Sequence, residues 1–187
     1  MADDDEINRA DTLLTIRCLL GEADAFEALA RRWAAPLFRY LRGWARDTDE
    51  ADELVQDVWL RVLRGLPALR DPYRFRQWLF GIAHRTAMDH LRKRQRLPQT
   101  REMEEADHIA MIDERDASAD REMILRALEQ ALDQVPLTER QTLTLFYLEE
   151  IPIAEIAQIQ SVPVGTVKSR LFRGRGQLRT LMERLER

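Results

Sequence analysis

Near the C-terminus, Lys168, Ser169, Phe172 and Arg173 recur at i, i+1, i+4 and i+5, a spacing that lines side chains along one edge of a helix. Lys and Arg can bond guanine edges or phosphates, Ser a phosphate or a base, and Phe can pack on a thymine methyl. Val167 and Leu171, four apart, would face inward. Ahead of them stand Pro152-Ile153-Ala154-Glu155-Ile156-Ala157 and Gln160-Ser161-Val162-Pro163-Val164-Gly165-Thr166. Together these outline a helix-turn-helix: a short helix with small residues, Ala154 and Ala157, where the helices cross, then a tight turn and a second helix. Pro163 can begin that second helix, where a missing N–H costs nothing. Ser161 stands in the turn, where the backbone would need a positive φ that serine tolerates less well than glycine. A plain helical hairpin with a solvated basic end would share the amphipathic pattern, but not the ordered run from Ile156 through Arg170.

A second constellation lies in the N-terminal half. Asp49, Asp52, Glu53, Gln56 and Asp57 share a helix with the apolar stripe Ala51, Leu54, Val55, Val58 and Val62. A later helix packs Phe75, Trp78, Leu79, Ile82 and Ala83, then turns basic through Arg85, Arg92, Lys93, Arg94 and Arg96. The acidic face suits a basic protein partner and the basic face suits DNA phosphates. Trp59, Phe75 and Trp78 are expected to be core. Catalysis finds little support: the three histidines, His84, His90 and His108, form no cluster with the single cysteine. His84 and His90, six apart, point in different directions on a helix, and no Cys/His metal site or phosphate-binding glycine loop is present. No enzyme activity, metal or cofactor is expected.

The elements that must carry these residues read as helices nearly throughout, an all-α chain. Expected helices run from Asp11, as cap, to Leu20; from Asp24, as cap, with Phe26, Leu29, Trp33, Leu37, Tyr40 and Leu41 at helical spacing; from about Asp49 to Gly65; and from about Arg74 to Arg96. Leu66 to Pro72 reads as a loop. Pro98 to Ala119 reads as a linker, in which Ile109, Met111 and Ile112 could form a short docked turn. Asp120 then opens a helix containing Ile124, Leu128, Ala131, Leu132 and Val135, stopped at Pro136. Thr138-Glu139-Arg140-Gln141 has the spacing of a capping box for a helix through Leu148. A brief helix from Ile153 to Ile159 and a long one from about Val164 to Glu186 complete the count. Two small helical domains follow, residues 10–97 and 120–187, joined by a flexible acidic linker, 98–119.

Charge follows the same division. Between His84 and Arg101 six basic residues face one acid, Asp89; from Glu102 to Glu122 nine acids face two arginines; from Lys168 to Arg187 seven basic residues face two acids. The net charge of −4 over 187 residues argues against a protein that coats nucleic acid by itself. The acidic start, Met1 to Glu6, is unlike a secretory signal, and no apolar run approaches the ~20 residues of a membrane span. A cytoplasmic protein is expected, with Cys18, between Ile16 and Leu19, as a buried structural thiol.

The run from Pro152 to Arg173 resembles region 4 of sigma-70 family factors, above all the small extracytoplasmic-function group. The run Asp49 to Leu63, with Phe75 to Arg85 and Asp89 to Arg94, resembles region 2 of the same group, a match extending from about Phe26 to Arg96. Neither the extra domain nor the long N-terminal region of housekeeping sigma factors is evident. The resemblance implies a subunit that binds core RNA polymerase and directs initiation at promoters. Asp52, Glu53, Gln56 and Asp57 would dock on the β′ clamp helices, and the β flap would be a further contact. Arg61, Gly65, Ala68, Leu69, Arg85 and Arg92 would serve the −10 element, the segment Leu66 to Phe75 capturing a flipped base at a cost of a few kcal/mol in stacking. Lys168, Ser169, Phe172 and Arg173 would read the −35 element. The linker would run through a polymerase channel that its acids suit. An anti-sigma protein is the further partner implied. The other reading is a dimeric helix-turn-helix regulator that binds operators without polymerase. It leaves the acidic helix and its basic successor unexplained.

Overall fold

The computed structural model describes residues 2–96, 127–128 and 130–185. All regular structure among these residues is helical, and the chain divides into two compact units, one carrying the N-terminal helices and one the C-terminal helices. The expected linker, the docked turn at Ile109 to Ile112 and the helix opening at Asp120 lie outside the described residues.

The first unit holds α1 (Ala2–Leu19), α2 (Ala23–Arg42), α3 (Thr48–Gly65) and α4 (Phe75–Arg96). The apolar stripes read from the sequence meet in its core. Leu29, Leu37, Tyr40 and Leu41 of α2, Leu54, Val58 and Val62 of α3, and Phe75, Leu79 and Ala83 of α4 are all essentially inaccessible. Each such large apolar side chain contributes about 1.5–3 kcal/mol by leaving water. Phe80 sits at the centre, with the Trp33 and Tyr40 rings edge-on to it at 5.8 and 5.4 Å, the geometry favoured by ring quadrupoles. Of the three aromatics expected in the core, Phe75 is fully buried, whereas Trp59 and Trp78 are half-buried.

Two helix starts in this unit differ from the sequence reading. Asp11 does not cap α1, which begins nine residues earlier at Ala2. Asp11 is 1% exposed; its Oδ1 accepts from Arg32 Nε at 2.6 Å and from Trp33 Nε1 at 3.1 Å, binding α1 to α2. Its Oδ2 has no hydrogen-bond partner among the described residues. Burial pushes its carboxyl above the ordinary range, against the pull of Arg32 and Trp33. Asp24 is likewise not a cap: α2 starts at Ala23 behind Glu22, and both Glu22 and Asp24 pair with Arg17, at 2.7 and 2.9 Å. Helix α3 starts at Thr48, beside the expected Asp49, and is capped by Asp47, which accepts from the Glu50 N–H at 2.7 Å. Cys18 is only half-buried, which corrects its expected full burial; what burial it has raises its thiol pKa.

The expected loop from Leu66 to Pro72 is more regular than its prolines suggested. Leu66–Ala68 and Pro72–Arg74 are each a single 3₁₀ turn, the second capped by Asp71, which accepts from the Tyr73 N–H at 3.1 Å. Both prolines sit at turn starts, where the lost N–H is not needed.

In the second unit, residues 130–134 are helical, with Ala131 and Val135 buried. Next come α5 (Leu137–Leu143), a π-helical turn Thr144–Leu148, α6 (Ile153–Gln160) and α7 (Val164–Leu185). The capping box at Thr138 is absent. Pro136 occupies the cap position, and the Thr138 hydroxyl instead donates to the neighbouring Glu139 carboxylate at 2.6 Å. Leu143, Leu145, Ile151, Ile156, Val167 and Leu171 form this unit's core. Ala157 is buried as expected, but Ala154 is exposed. A close approach that the sequence reading did not place occurs at Gly174, where α7 packs on α5. A Cβ there would lie 3.0 Å from Leu143 Cδ1 and 3.3 Å from Glu139 Cβ.

A side chain at position 174 must therefore displace core atoms, while one at Gly176 meets nothing within 4 Å. Gly174→Val is expected to destabilise the protein by about 1–3 kcal/mol. Gly176→Ala should stabilise it by up to about 1 kcal/mol through helix propensity. Paired urea denaturations, in which Gly174→Val is as stable as wild type, would refute the crossing assigned to this glycine.

Candidate nucleic-acid interface

The helix-turn-helix is built by two backbone devices. Ser161 closes α6 in the left-handed region at φ 54°, and its N–H donates to Gln158 O at 3.2 Å, while Val162 N reaches Ala157 O at 3.0 Å. The strain foreseen at this serine is present, and a second instance, not foreseen, lies at Glu150 (φ 50°) before α6. Pro163 stands just before α7 and its carbonyl accepts from Thr166 N at 2.9 Å, so it fills the cap rather than the first helical position.

On α7, Val167 and Leu171 are buried and Lys168, Ser169, Phe172 and Arg173 are exposed, the division their spacing predicted. Phe172 is 74% exposed, an apolar ring held in water with no core role. The Ser169 hydroxyl donates back to Thr166 O at 2.9 Å, which leaves its lone pairs for a donor on a ligand. Arg173 is tied from below: its Nε and Nη2 reach Glu139 Oε1 at 3.0 and 2.9 Å. Glu139 is 7% exposed. Burial would raise its pKa, but the Thr138 hydroxyl and Arg173 together hold it below the ordinary value. Arg175 reaches the π turn, with Nη1 3.4 Å from Tyr147 Oη.

In the first unit, Asp52, Glu53, Gln56 and Asp57 are all exposed on α3, with no ion pair to another described residue. They continue into an apolar surface that the sequence reading missed. Gln56 lines a shallow cavity of about 330 Å³ with Phe26, Trp59, Leu60 and Leu63, and Leu60 and Leu63 are half in water. Their signal was available: both are apolar positions off the buried stripe of an amphipathic helix.

The residues assigned to the −10 element fall into three groups. Arg61 on α3 and Arg92 on α4 converge on Asp89, at 3.5 and 3.6 Å. Arg85, Asp89 and Arg92 are spaced four and three apart, so they share one face of α4; Arg85 is exposed, its guanidinium lying back over Gly81. Gly65 packs against Trp78, whose ring would lie 3.0 Å from a Cβ there. Ala68 is exposed and Leu69 half-buried around the first 3₁₀ turn.

Behind the basic face lies a residue that no pattern singled out. Glu50 is 6% exposed. It accepts from the Arg46 backbone N–H at 2.5 Å, from the Arg46 side chain and from His90 Nε2 at 2.7 Å. Arg94 Nη1 stands 3.7 Å away, close enough for attraction without a hydrogen bond. Burial pushes this carboxyl up, but the Arg46 N–H, His90 and the Arg46 guanidinium outweigh it and hold it down at about 2. One buried acid thus fastens the start of α3 to the basic half of α4. His84 has a structural partner too, its Nδ1 lying 2.9 Å from the buried Tyr40 hydroxyl. Among the described residues no group of His, Cys, Asp and Glu could hold a metal ion. No described helix is long and apolar enough to cross a membrane.

Comparison with known proteins agrees with this layout. The family model for sigma-70 region 2 matches residues 29–97, and that for sigma-70 region 4 matches residues 125–178. The chain is 31% identical over 173 residues to the RNA polymerase sigma-H factor of Pseudomonas aeruginosa, covering 88% of this chain and 90% of that protein. It is 30% identical over 174 residues to the ECF RNA polymerase sigma factor SigM of Mycobacterium tuberculosis, covering 93% and 85%. Its fold is similar to RpoE from Bartonella quintana, solved with the anti-sigma factor NepR (TM-score 0.70, 23% identity, 84% of this chain and 96% of that one). It is also similar to CnrH, solved with the cytosolic domain of CnrY (TM-score 0.65, 23% identity, 93% and 97%).

Two outcomes follow from the backbone and the buried acid. Ser161→Gly and Glu150→Gly should each raise stability by up to about 1 kcal/mol by relieving a left-handed non-glycine residue, read as a higher urea midpoint. Glu50 has its folded pKa below its unfolded one, so its stabilisation is complete above about pH 4.5 and vanishes as pH falls through about 2. It amounts to about 3 kcal/mol at neutral pH. Denaturation of wild type and Glu50→Gln at pH 7, 4 and 2.5 should show the gap between them closing toward acid; a constant gap would contradict the network.

Proposed function

This chain belongs to the sigma-70 family, in its extracytoplasmic-function group, and from that premise we propose how its two units divide the work of promoter recognition. The protein is a sigma factor, which binds core RNA polymerase and directs transcription initiation. RNA synthesis is the chemistry of the core, and in our reading this chain contributes no catalytic group, metal or cofactor and acts in the cytoplasm.

The first unit, about residues 10–97, docks and opens DNA. Asp52, Glu53, Gln56 and Asp57 offer the β′ clamp helices an acidic, solvated face with no ion pair to another described residue, and polymerase is the basic partner that fits it. The turn from Leu66 to Phe75 receives an unstacked −10 base, with Gly65, Ala68 and Leu69 shaping the rim and Arg61, Arg85 and Arg92 supplying positive charge. The second unit, about residues 120–187, meets the β flap and lays α7 in the major groove at −35, where Lys168, Ser169, Phe172 and Arg173 contact bases and phosphates. The acidic segment 98–119 suits a basic channel of the enzyme. An anti-sigma protein, the kind of partner with which RpoE was solved, would silence this chain by covering the faces polymerase needs.

The observation that carries this reading is the pairing, within one unit, of an exposed acidic helix with a basic one fastened to it. An operator-binding regulator has no use for that pair. Run-off transcription with sigma-free core on a promoter library tests it: the purified chain should start RNA at defined sites, and a regulator would start none. Asp52→Lys with Asp57→Lys should lower affinity for core roughly tenfold or more, measured by fluorescence anisotropy with labelled protein. Unchanged affinity would remove α3 from the docking surface.

A further inference from the structure

Among the four side chains that α7 offers at its exposed edge, Arg173 alone is anchored to the protein by a buried acid. Both of its anchoring nitrogens, Nε and Nη2, meet a single oxygen, Glu139 Oε1. The second carboxylate oxygen, Oε2, is occupied by the Thr138 hydroxyl. Glu139 is nearly inaccessible while the Arg173 side chain is 56% exposed, so the pair has one fixed end and one end in solvent. The fixed end is well seated. Glu139 lies on α5 directly beneath Gly174, where a Cβ on α7 would come within 3.3 Å of Glu139 Cβ. No hydrogen bond within the described residues uses Arg173 Nη1.

We propose that Glu139 is a positioning residue for promoter reading: it fixes the plane of the Arg173 guanidinium and cancels its net charge, so that Arg173 discriminates bases instead of adhering to any phosphate. This rests on the reading of α7 as the −35 helix. A guanidinium free to rotate is a mobile cation and finds phosphates on every sequence. One held by its Nε edge presents its remaining N–H groups in a single direction, the condition for a directed hydrogen bond to a base edge. The compensating carboxylate also removes one unit of the non-specific attraction that α7 would otherwise exert. Geometry and charge both act to raise the ratio of specific to non-specific binding while lowering total affinity.

That combination separates positioning from simple support of the fold. The test uses holoenzyme reconstituted from core polymerase and the full chain, and selection from promoter DNA randomised across the −35 element. Wild type, Glu139→Gln, Glu139→Ala and Arg173→Ala are compared, with salt titrations of binding to selected and scrambled duplexes and thermal melts of each free variant. Glu139→Gln keeps the acceptor oxygen but not the charge. It should lose preference at the positions that Arg173→Ala also loses, by roughly tenfold. Its binding to scrambled DNA should tighten and its salt slope steepen by up to about 0.9. Arg173→Ala should flatten the slope instead. If Glu139→Gln selects the wild-type motif with an unchanged slope, or weakens binding to all sequences alike as its melting point falls, Glu139 is merely structural and the proposal is overturned. If wild-type holoenzyme enriches no motif across the randomised element, it is the assignment of α7 to −35 that fails, and the proposal falls with it.

Discussion

A helix that carries many arginines on one side must have something to hold it against its neighbours, and in this molecule that something is repeatedly a buried carboxylate. Glu50 gathers Arg46, His90 and Arg94 behind the basic half of α4. Glu139 holds Arg173 beneath α7. Asp11 draws Arg32 and Trp33 across from α2. The physics differs among the three. Glu50 has enough donors to repay its desolvation and stays charged far into acid, whereas Asp11, with one oxygen unpartnered among the described residues, has its pKa raised by burial. Removing one member of such a pair leaves a charge in a poor solvent, so these contacts fix geometry as well.

The placement of these acids explains why some of the structure could be read in advance and some could not. The stripes Leu29-Trp33-Leu37-Tyr40, Leu54-Val58-Val62 and Val167-Leu171 recur at 3.6-residue spacing, and burial follows that period directly. The exposure of Lys168, Ser169, Phe172 and Arg173 is the complement of the same rule. Glu50 and Glu139 were illegible because, on a helical wheel, an acid that points at another helix looks like one that points at water. Only the partner distinguishes them, and His90 lies 40 residues from Glu50 and Arg173 lies 34 from Glu139. Caps failed for a related reason: Asp11 and Thr138 have the right chemistry for a helix start, but the chain had begun its helix earlier in both places, and other partners took the side chains, Arg32 and Trp33 on the next helix for Asp11 and the adjacent Glu139 for Thr138. Gly174 was unread because a glycine inside a helix advertises either weakness or close approach, and composition does not say which.

The surface of α3 shows a different kind of economy. Its acidic residues Asp52, Glu53 and Asp57 have no ion pair to another described residue, although basic residues abound nearby in sequence. Six arginines and lysines follow within residues 84–101. On α4, Arg92 meets Asp89 and Arg94 approaches Glu50, while Asp52, Glu53 and Asp57 of α3 keep their charge for an external surface. Next to those acids Leu60 and Leu63 remain half in water. A partner helix that met both would gain attraction at one end and burial at the other, which orients it as well as binding it.

On the reading of two promoter-reading units, weak individual affinity is a requirement. Each basic face alone would bind any DNA, with an attraction that grows by about 0.9 in salt slope for every phosphate neutralised. A net charge of −4, the Asp89 counter-ion between Arg61 and Arg92, and Glu139 under Arg173 all subtract from that attraction. Specific binding survives the subtraction because both units act from one polymerase. Once the first is engaged, the second meets DNA at an effective concentration that is about millimolar for short tethers, and the product of two modest preferences becomes a strong one. The internal acids that lower affinity for arbitrary DNA are in this sense part of how the molecule selects a promoter.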